Sequence, residues 1–179
     1  MRSRIILGIG MVAIIIAVSG LFHARATSPP NIAMPDLSGH CLDNGVTFTT
    51  VLTASNLTNT QDWQVNITFT PGMVATMSYA FGSSFTGPNT LTSKNNSTSA
   101  GYFLLGIAFY NGTGPFSTAS PVTLATFTWK TLVVHPNVTF HLVTLSENAL
   151  LGTELLDPNR NSLPYTTTDG FLGCQLGPS

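Results

Sequence analysis

Charged side chains are scarce in this chain of 179 residues, and basic ones are the rarest. Only 7% of the residues are charged, against about 25% in ordinary soluble domains. After residue 26, three basic and seven acidic residues remain, which gives that part of the chain a net charge of −4. Binding to phosphate groups needs a clustered basic surface, so this composition disfavours a nucleic-acid partner.

Signatures of catalysis are also missing. The sequence has no Gly-x-Ser-x-Gly elbow, His-Glu-x-x-His helix, P-loop or Rossmann glycine run. The few acidic residues lie mostly in predicted turns, so no glycosidase carboxylate pair can be argued. His135 and His141 could meet on a sheet to bind a metal, but isolated surface histidines are commoner. We therefore expect a protein that is not an enzyme and that holds no cofactor.

One segment resembles part of a calcium-binding loop. Asp157, Asn159 and Asn161 match the first three ligand positions of such a loop. Ser162 and Thr168, however, occupy the positions that require Gly and Glu. The segment is therefore interpreted as a β-turn, and no metal site is expected.

The N-terminal segment has the three zones of a secretory signal. Arg2 and Arg4 precede an apolar run of 18 residues from Ile5 to Phe22, and Ala24-Arg25-Ala26 resembles a cleavage site. A run of this length also permits an uncleaved membrane anchor. We expect a signal peptide over residues 1–26, a Pro-rich lead-in over 27–42 and one domain over 43–179. The product would be secreted or extracellular, either free or attached to the cell surface, with membrane contact only if the leader stays uncleaved.

The two cysteines are far apart in the sequence. Cys41 lies near the start of the exported part, and Cys174 lies near its end. An even pair in an exported chain predicts a disulfide; the alternative is two unpaired, buried thiols. A bridge would require the first and last strands to lie within about 7 Å of each other.

Thr, Ser and Asn supply the polarity that charged residues do not. Many of the asparagines belong to Asn-x-Ser/Thr sequons, which are acceptor sites for N-linked glycans in exported proteins. The chain is therefore predicted to be a glycoprotein. The sequons begin at Asn56, Asn66, Asn95, Asn96, Asn111 and Asn137.

Short β-branched and aromatic segments separated by turn residues predict an all-β fold. In the clearest segment, Trp63 to Phe69, strict alternation turns Trp63 and its apolar partners to one face. Asn66 falls on the other face and is expected to point to solvent. Residues 82–101 are predicted to form a long loop, and residues 149–156 either a helical turn or a strand. Further strands are predicted over Val46 to Ala54, Met73 to Phe81, Tyr102 to Tyr110, Leu124 to Thr131, Val138 to Thr144 and just before Cys174.

No segment shows helical periodicity over three turns, so these strands call for two packed antiparallel sheets. Their order resembles that of the cohesin domain over about residues 43 to 173. The resemblance rests on four runs of sequence: Trp63-Gln64-Val65-Asn66-Ile67-Thr68-Phe69-Thr70-Pro71; Gly106-Ile107-Ala108-Phe109-Tyr110; Leu124-Ala125-Thr126-Phe127-Thr128-Trp129-Lys130; and Leu156-Asp157-Pro158-Asn159-Arg160-Asn161-Ser162-Leu163-Pro164 followed by Asp169-Gly170-Phe171-Leu172.

The resemblance implies a jelly-roll sandwich of about nine strands, a fold that cohesins share with several cellulose-binding modules. Cohesins bind dockerin domains and so attach proteins to extracellular scaffolds. The strand from Tyr102 to Tyr110 is apolar on both faces, and the corresponding strand of cohesins lies in the sheet that meets the partner. One face must be core, and the other is either a binding patch or is covered by a neighbouring loop. The candidate binding residues are Tyr102, Leu104, Ala108 and Tyr110.

Three functions follow as hypotheses. The leading one is a secreted cohesin-like binding or scaffold module whose partner is another extracellular protein. The second is a carbohydrate-binding module for polysaccharide, which would need exposed tyrosines because Trp63 and Trp129 are predicted to be core residues. The third is a subunit of a glycosylated filament, assembled when residues 27–39 donate a strand to a neighbouring copy.

Overall fold

The structure is a computed structural model, and it describes residues 28–110 and 114–175. The predicted signal peptide and the sequon at Asn111 lie outside the described residues. Among those residues, no helix is long and apolar enough to cross a membrane.

The described chain is built almost entirely from β-strands. A single 3-10 turn, Ser83–Phe85, is its one helical element. The strands are β1 (Asn31–Ala33), β2 (Asp36–Ser38), β3 (Thr47–Ser55), β4 (Leu57–Thr60), β5 (Asp62–Thr68), β6 (Val74–Phe81), β7 (Thr90–Ser97), β8 (Tyr102–Phe109), β9 (Phe116–Thr118), β10 (Val122–Thr131), β11 (Val138–Leu142), β12 (Glu154–Leu156), β13 (Thr166–Thr168) and β14 (Gly170–Gly173).

The strands form the predicted two-sheet sandwich. The first sheet has the order β13-β1-β3-β10-β6, and the second has the order β2-β14-β11-β5-β8-β7, with β12 also paired to β5. Strands β4 and β9 pair separately. Two pairs differ from the expected antiparallel arrangement, because β1 runs parallel to β13 and β2 runs parallel to β14. The strands beyond the predicted nine are mostly too short to show alternation in the sequence.

The Pro-rich lead-in belongs to the sandwich. It is extended, as predicted, but β1 lies between β3 and β13 in the first sheet, and β2 forms an edge of the second. The sandwich therefore begins near Asn31, ahead of the predicted boundary at residue 43. Both strands pair within their own chain, so the structure does not support the hypothesis that this stretch is donated to a neighbouring copy.

The prediction of a long loop over residues 82–101 is wrong. This stretch contains β7, which pairs with β8 along its whole length, from Thr90 opposite Phe109 to Ser97 opposite Tyr102. Strand β7 is the edge of its sheet, and most of its side chains are exposed on both faces. An edge strand of this kind needs no apolar alternation, and polar residues protect it from pairing with other chains. Its sequence therefore resembles that of a loop.

Aromatic rings fill the space between the sheets. Trp63 and Trp129 are 2% and 0% exposed, which confirms their predicted place in the core. The indole N–H of Trp129 donates a hydrogen bond to Thr50 Oγ1 at 2.8 Å. Fully burying one large apolar side chain contributes roughly 1.5–3 kcal/mol. The rings of Phe69, Phe127 and Phe140 lie 5.4, 5.4 and 5.0 Å from that of Trp129.

The predicted disulfide between Cys41 and Cys174 is present, with the Cα atoms 4.5 Å apart. Cys41 follows β2 and Cys174 follows β14. These two strands are paired in parallel, so the chain leaves both at the same end of the sheet. The bridge closes 133 residues of chain, for which the loop-entropy treatment gives a stabilisation of roughly 5 kcal/mol.

Candidate functional site

The second sheet turns one side to the core and the other to solvent, and we call the solvent side the outer face. Alternation along β5 and β8 sends residues such as Val65 and Leu105 into the core and leaves their neighbours outside. The paired register places β7 beside β8 on the same surface. The outer face consists of Asp62, Gln64, Asn66 and Thr68 of β5, Tyr102, Leu104, Gly106 and Ala108 of β8, and Leu91, Ser93, Asn95 and Ser97 of β7.

Three of the four predicted binding residues lie together on this face. Tyr102, Leu104 and Ala108 are half-buried there, and the Tyr102 hydroxyl donates to Asn95 Oδ1 at 3.3 Å. Tyr110 lies beyond the end of β8, where its hydroxyl donates to the carbonyl oxygen of Pro88 at 3.0 Å. The segment predicted to cover the strand lies beside it in the sheet as β7. The binding role of all four residues stays a prediction.

The expectation that Asn66 points to open solvent is wrong. The residue is on the outer face but is only 7% exposed. The segment 143–153, which bulges out between β11 and β12, lies against it. Thr153 Oγ1 accepts a hydrogen bond from the backbone N–H of Asn66 at 3.3 Å. The backbone N–H of Val143 donates to the carbonyl oxygen of Asn66 at 3.0 Å. A glycan on the native fold has little room at this sequon.

The other described sequons are more accessible. Asn95 and Asn137 are exposed, and Asn56 and Asn96 are half-buried. Two of them, Asn95 and Asn96, lie on the edge strand β7. Glycosylation of these four asparagines stays a prediction.

A cleft of about 250 Å³ opens at one end of the outer face, and we call it the Asp62 cleft. Strand β12 supplies one wall with Glu154, and β7 supplies the other with Leu91. Its floor is at Gly106, where an added Cβ would lie 2.9 Å from the carbonyl oxygen of Trp63. The close approach of backbone explains why this position has no side chain.

The carboxylate of Asp62 is buried beside this cleft, with only 7% of the side chain exposed. Its Oδ2 accepts a hydrogen bond from Nη1 of Arg160, whose side chain is 64% exposed. Its Oδ1 is buried and has no hydrogen-bond partner among the described residues. Buried charged groups are normally satisfied, since an unpaired one costs several times the net gain of an ordinary hydrogen bond.

The opposite end of the outer face carries a different polar cluster, centred on His141. The imidazole contacts two carboxylates, with Nδ1 2.7 Å from Asp169 Oδ2 and Nε2 3.0 Å from Glu147 Oε1. Asp169 also accepts the backbone N–H of Leu142 at 2.8 Å, and Glu147 accepts that of Thr144. The cluster therefore ties β11 to the turn before β14 and to the segment that bulges out at residues 143–153.

The hydrogen bond with Asp169 raises the pKa of His141 above its usual value, and the charge of that carboxylate and the contact with Glu147 act in the same direction, while partial burial opposes them. Hydrogen bonds from the backbone and hydroxyl of Thr144 lower the pKa of Glu147. Two carboxylates, each of which has further partners, thus favour the protonated form of the imidazole. This cluster is structural, because its imidazole and both of its carboxylates have hydrogen-bond partners.

The β-turn interpretation of the calcium-like segment is confirmed. Asp157 Oδ1 accepts the backbone N–H groups of Asn159 and Asn161 at 2.8 and 2.9 Å, and Oδ2 accepts the Asn161 side-chain amide at 3.0 Å. The side-chain bond from Asn161 is the main reason that the pKa of Asp157 is lowered.

His135 lies 3.8 Å from Asp43, away from the partners of His141. In the part of the chain that the structure describes, no three His, Cys, Asp or Glu residues are placed to hold a metal ion.

The sequence analysis did not identify Asp62, Glu154, Arg160 or Gly106 as members of a site. Asp62 and Arg160 are 98 positions apart, so no local pattern links them. The sequence did contain one indication of this site. Alternation along β5 places Asp62 at the start of the most regular strand and on the same side as Gln64. An acidic residue there, on a chain with so few charges, marks the outer face as more than a solvated surface.

The sequence matches no family model and no curated protein, but solved structures share its fold. A non-cellulosomal cohesin from the archaeon Archaeoglobus fulgidus is 14% identical, with a TM-score of 0.61 over 82% of this chain and 91% of that one. A type II cohesin domain from the cellulosome of Acetivibrio cellulolyticus is 18% identical, with a TM-score of 0.62 over 82% and 95%. The third cohesin of ScaC from the same organism, solved in complex with the ScaB dockerin, is 14% identical, with a TM-score of 0.64 over 83% and 99%. The protein therefore has a cohesin-like fold.

Proposed function

We propose that this protein is an extracellular cohesin-like module that attaches to another protein through the outer face of its second sheet. The observation that carries the proposal is the character of this face. It combines a hydrophobic side chain that is 61% exposed, Leu91, with the half-buried Leu104 and Ala108 and with a cleft that holds a buried carboxylate. Exposed apolar surface rimmed by polar groups is typical of protein-binding sites.

The structural neighbours add to this argument. Several of them are cohesins that were solved in complex with dockerins, among them the third cohesin of ScaC. At 10–14% identity this likeness concerns the fold, so a dockerin is one candidate partner among extracellular proteins. The described chain offers no row of exposed tryptophans for stacking sugars, because Trp63 and Trp129 are both buried.

The proposed extracellular location rests on two features. The N-terminal segment has the sequence of a secretory signal. The disulfide between Cys41 and Cys174 belongs to the class of bonds that persist in oxidising compartments and are rare in the cytosol.

A matched pair of substitutions tests the proposed face. Leu91 on β7 and Met77 on β6 are 61% and 59% exposed, and each strand is the edge of its own sheet. We expect Leu91→Arg to abolish retention of the partner when purified protein is used to capture proteins from its native medium, with mass spectrometry to identify what is retained. Met77→Arg makes the same change on the other sheet and should leave retention unchanged.

Circular dichroism melts of both variants verify that they are folded. Equal retention by the two variants would place the partner elsewhere on the molecule. Retention of no protein by the unmodified chain would contradict the binding role itself.

A further inference from the structure

The buried carboxylate of the Asp62 cleft has an oxygen atom that no group in the described chain satisfies. Asp62 is 5% exposed, and its Oδ1 has no hydrogen-bond partner among the described residues. Glu154 lines the wall of the same cleft and belongs to none of the ion pairs found in the described chain. The residues that line the cleft therefore carry two carboxylates and a single cation, Arg160, which leaves an excess of one negative charge.

The walls of the cleft determine the shape of a group that could balance this charge. Pairing across the sheet puts Leu156, Asp62, Ala108 and Leu91 in one row. Aliphatic side chains thus line the approach to a buried acceptor. A ligand that fits would carry a cationic hydrogen-bond donor at the end of a flexible aliphatic stem.

Arg160 already shows that this site accepts a cation. Its guanidinium reaches Asp62 Oδ2 from a turn on the surface, and its side chain is 64% exposed. Exposed side chains change rotamer in picoseconds to nanoseconds, so Arg160 can swing toward solvent and release Asp62 Oδ2. The arginine acts as an internal competitor for whatever cation comes from outside.

We propose that the Asp62 cleft receives an aliphatic primary ammonium, the end group of a lysine side chain on the protein partner. The ammonium donates to the Asp62 carboxylate, in the place that Arg160 now occupies, and to Glu154, and its stem lies along Leu91, Ala108 and Leu156. The net charge of −4 after residue 26 favours the approach of a basic segment. This inference rests on the proposed function, since it identifies the group that the outer face recognises.

The test uses a probe that needs no partner protein. N-acetyl-lysine N-methylamide is titrated into the purified ¹⁵N-labelled protein, and the norleucine analogue serves as the uncharged control of equal stem length. We expect saturable NMR shifts at the amides of Gly106 and Ala108 with the lysine compound and none with the norleucine compound. Equal shifts with both would overturn the ammonium assignment.

Substitutions then test whether the carboxylate of Asp62 is the group that binds the ammonium. Asp62→Asn keeps the shape of the side chain and should remove the shifts, whereas Asp43→Asn neutralises an exposed carboxylate, 78% exposed, and should keep them. Arg160→Gln removes the internal competitor and should tighten binding about tenfold, a factor that corresponds to about 1.4 kcal/mol. Unchanged or weaker binding by this variant contradicts the proposal even if Asp62→Asn fails to fold.

The outcome can be separated from that of the proposed function. If Leu91→Arg abolishes capture of the partner while Asp62→Asn leaves it unchanged, the face binds protein but the cleft receives no lysine. If the lysine compound binds but no partner depends on Leu91, the cleft is a site for amines and the attachment role fails.

Discussion

Both ends of the outer face place carboxylates next to a cationic or protonatable side chain, but they differ in how completely those carboxylates are hydrogen-bonded. At the His141 end, one imidazole contacts two carboxylates, and both carboxylates also accept backbone N–H groups. At the Asp62 end, a carboxylate that is far more deeply buried has one cationic partner and an oxygen with none. Satisfied polar networks stabilise a fold, whereas an unsatisfied buried polar group is costly and requires an explanation, of which a bound partner is one. In our proposal, this difference distinguishes a structural cluster from a binding site on the same face.

The largest effect is expected at the Asp62 end. Arg160→Gln leaves a buried carboxylate without its cation, so the free energy of unfolding should fall by about 2–3 kcal/mol. Urea unfolding at neutral pH measures this change. Lys130→Gln removes an exposed cation from a strand of the other sheet and should change stability by less than about 0.5 kcal/mol.

The double variant Asp62→Asn/Arg160→Gln sharpens this result. It removes the charge together with its partner and should recover part of the lost stability, because no buried charge is left unpaired. Additive losses would mean that the two side chains do not interact.

A smaller and pH-dependent effect is expected at the His141 end. Since the pKa of His141 is raised above 6.5 in the folded protein, its stabilisation is fully present below the unfolded pKa and is lost as the pH rises through the folded value. His141→Gln should therefore lower the free energy of unfolding at about pH 5 by up to about 1 kcal/mol, and by less at about pH 8. The figure is small because the side chain is 40% exposed.

Chemical denaturation of His141→Gln at both pH values measures this difference. The matched control is His135→Gln, because His135 is 54% exposed and lies 3.8 Å from a single, exposed carboxylate. A loss for His141→Gln that is equal at both pH values would show that packing, and not protonation, is what this residue contributes.

Salt should produce the smallest difference between the two ends. The Debye length falls to about 3 Å at 1 M ionic strength, which screens exposed charges much more than buried ones. The destabilisation caused by His141→Gln at about pH 5 should shrink when NaCl is raised from about 0.05 to 1 M. The destabilisation caused by Arg160→Gln should persist, since the side chain of Asp62 is only 7% exposed; equal attenuation at both ends would contradict this distinction.

The sequence predicted the elements whose pattern is local. Alternation along Trp63 to Phe69 identified β5 and its core face, and the cysteine pair identified the bridge between the ends of the sandwich. It failed at β7, because an edge strand exposed on both faces has the composition of a loop. It also failed at Asn66, where alternation gave the correct face but could not reveal that residues 143–153 lie against it.

The candidate site was beyond prediction for a similar reason. Asp62 comes from β5, Gly106 comes from β8, and Arg160 comes from the turn that follows β12. These residues are far apart in the sequence, and only the folded sheet brings them together. The apolar residues of β8 could be predicted because their pattern lies within one strand.

The position of the disulfide also determines how the molecule would bear a pulling force. A tension applied between residues 28 and 175 passes through the covalent bridge from Cys41 to Cys174, so the chain between the two cysteines is not extended by it. The loaded stretch before Cys41 contains β1 and β2, which are paired in parallel with β13 and β14. Pulling along parallel strands in opposite directions shears all of their hydrogen bonds at once. The parallel pairing of β1 and β2 with β13 and β14 therefore resists a tension applied between residues 28 and 175.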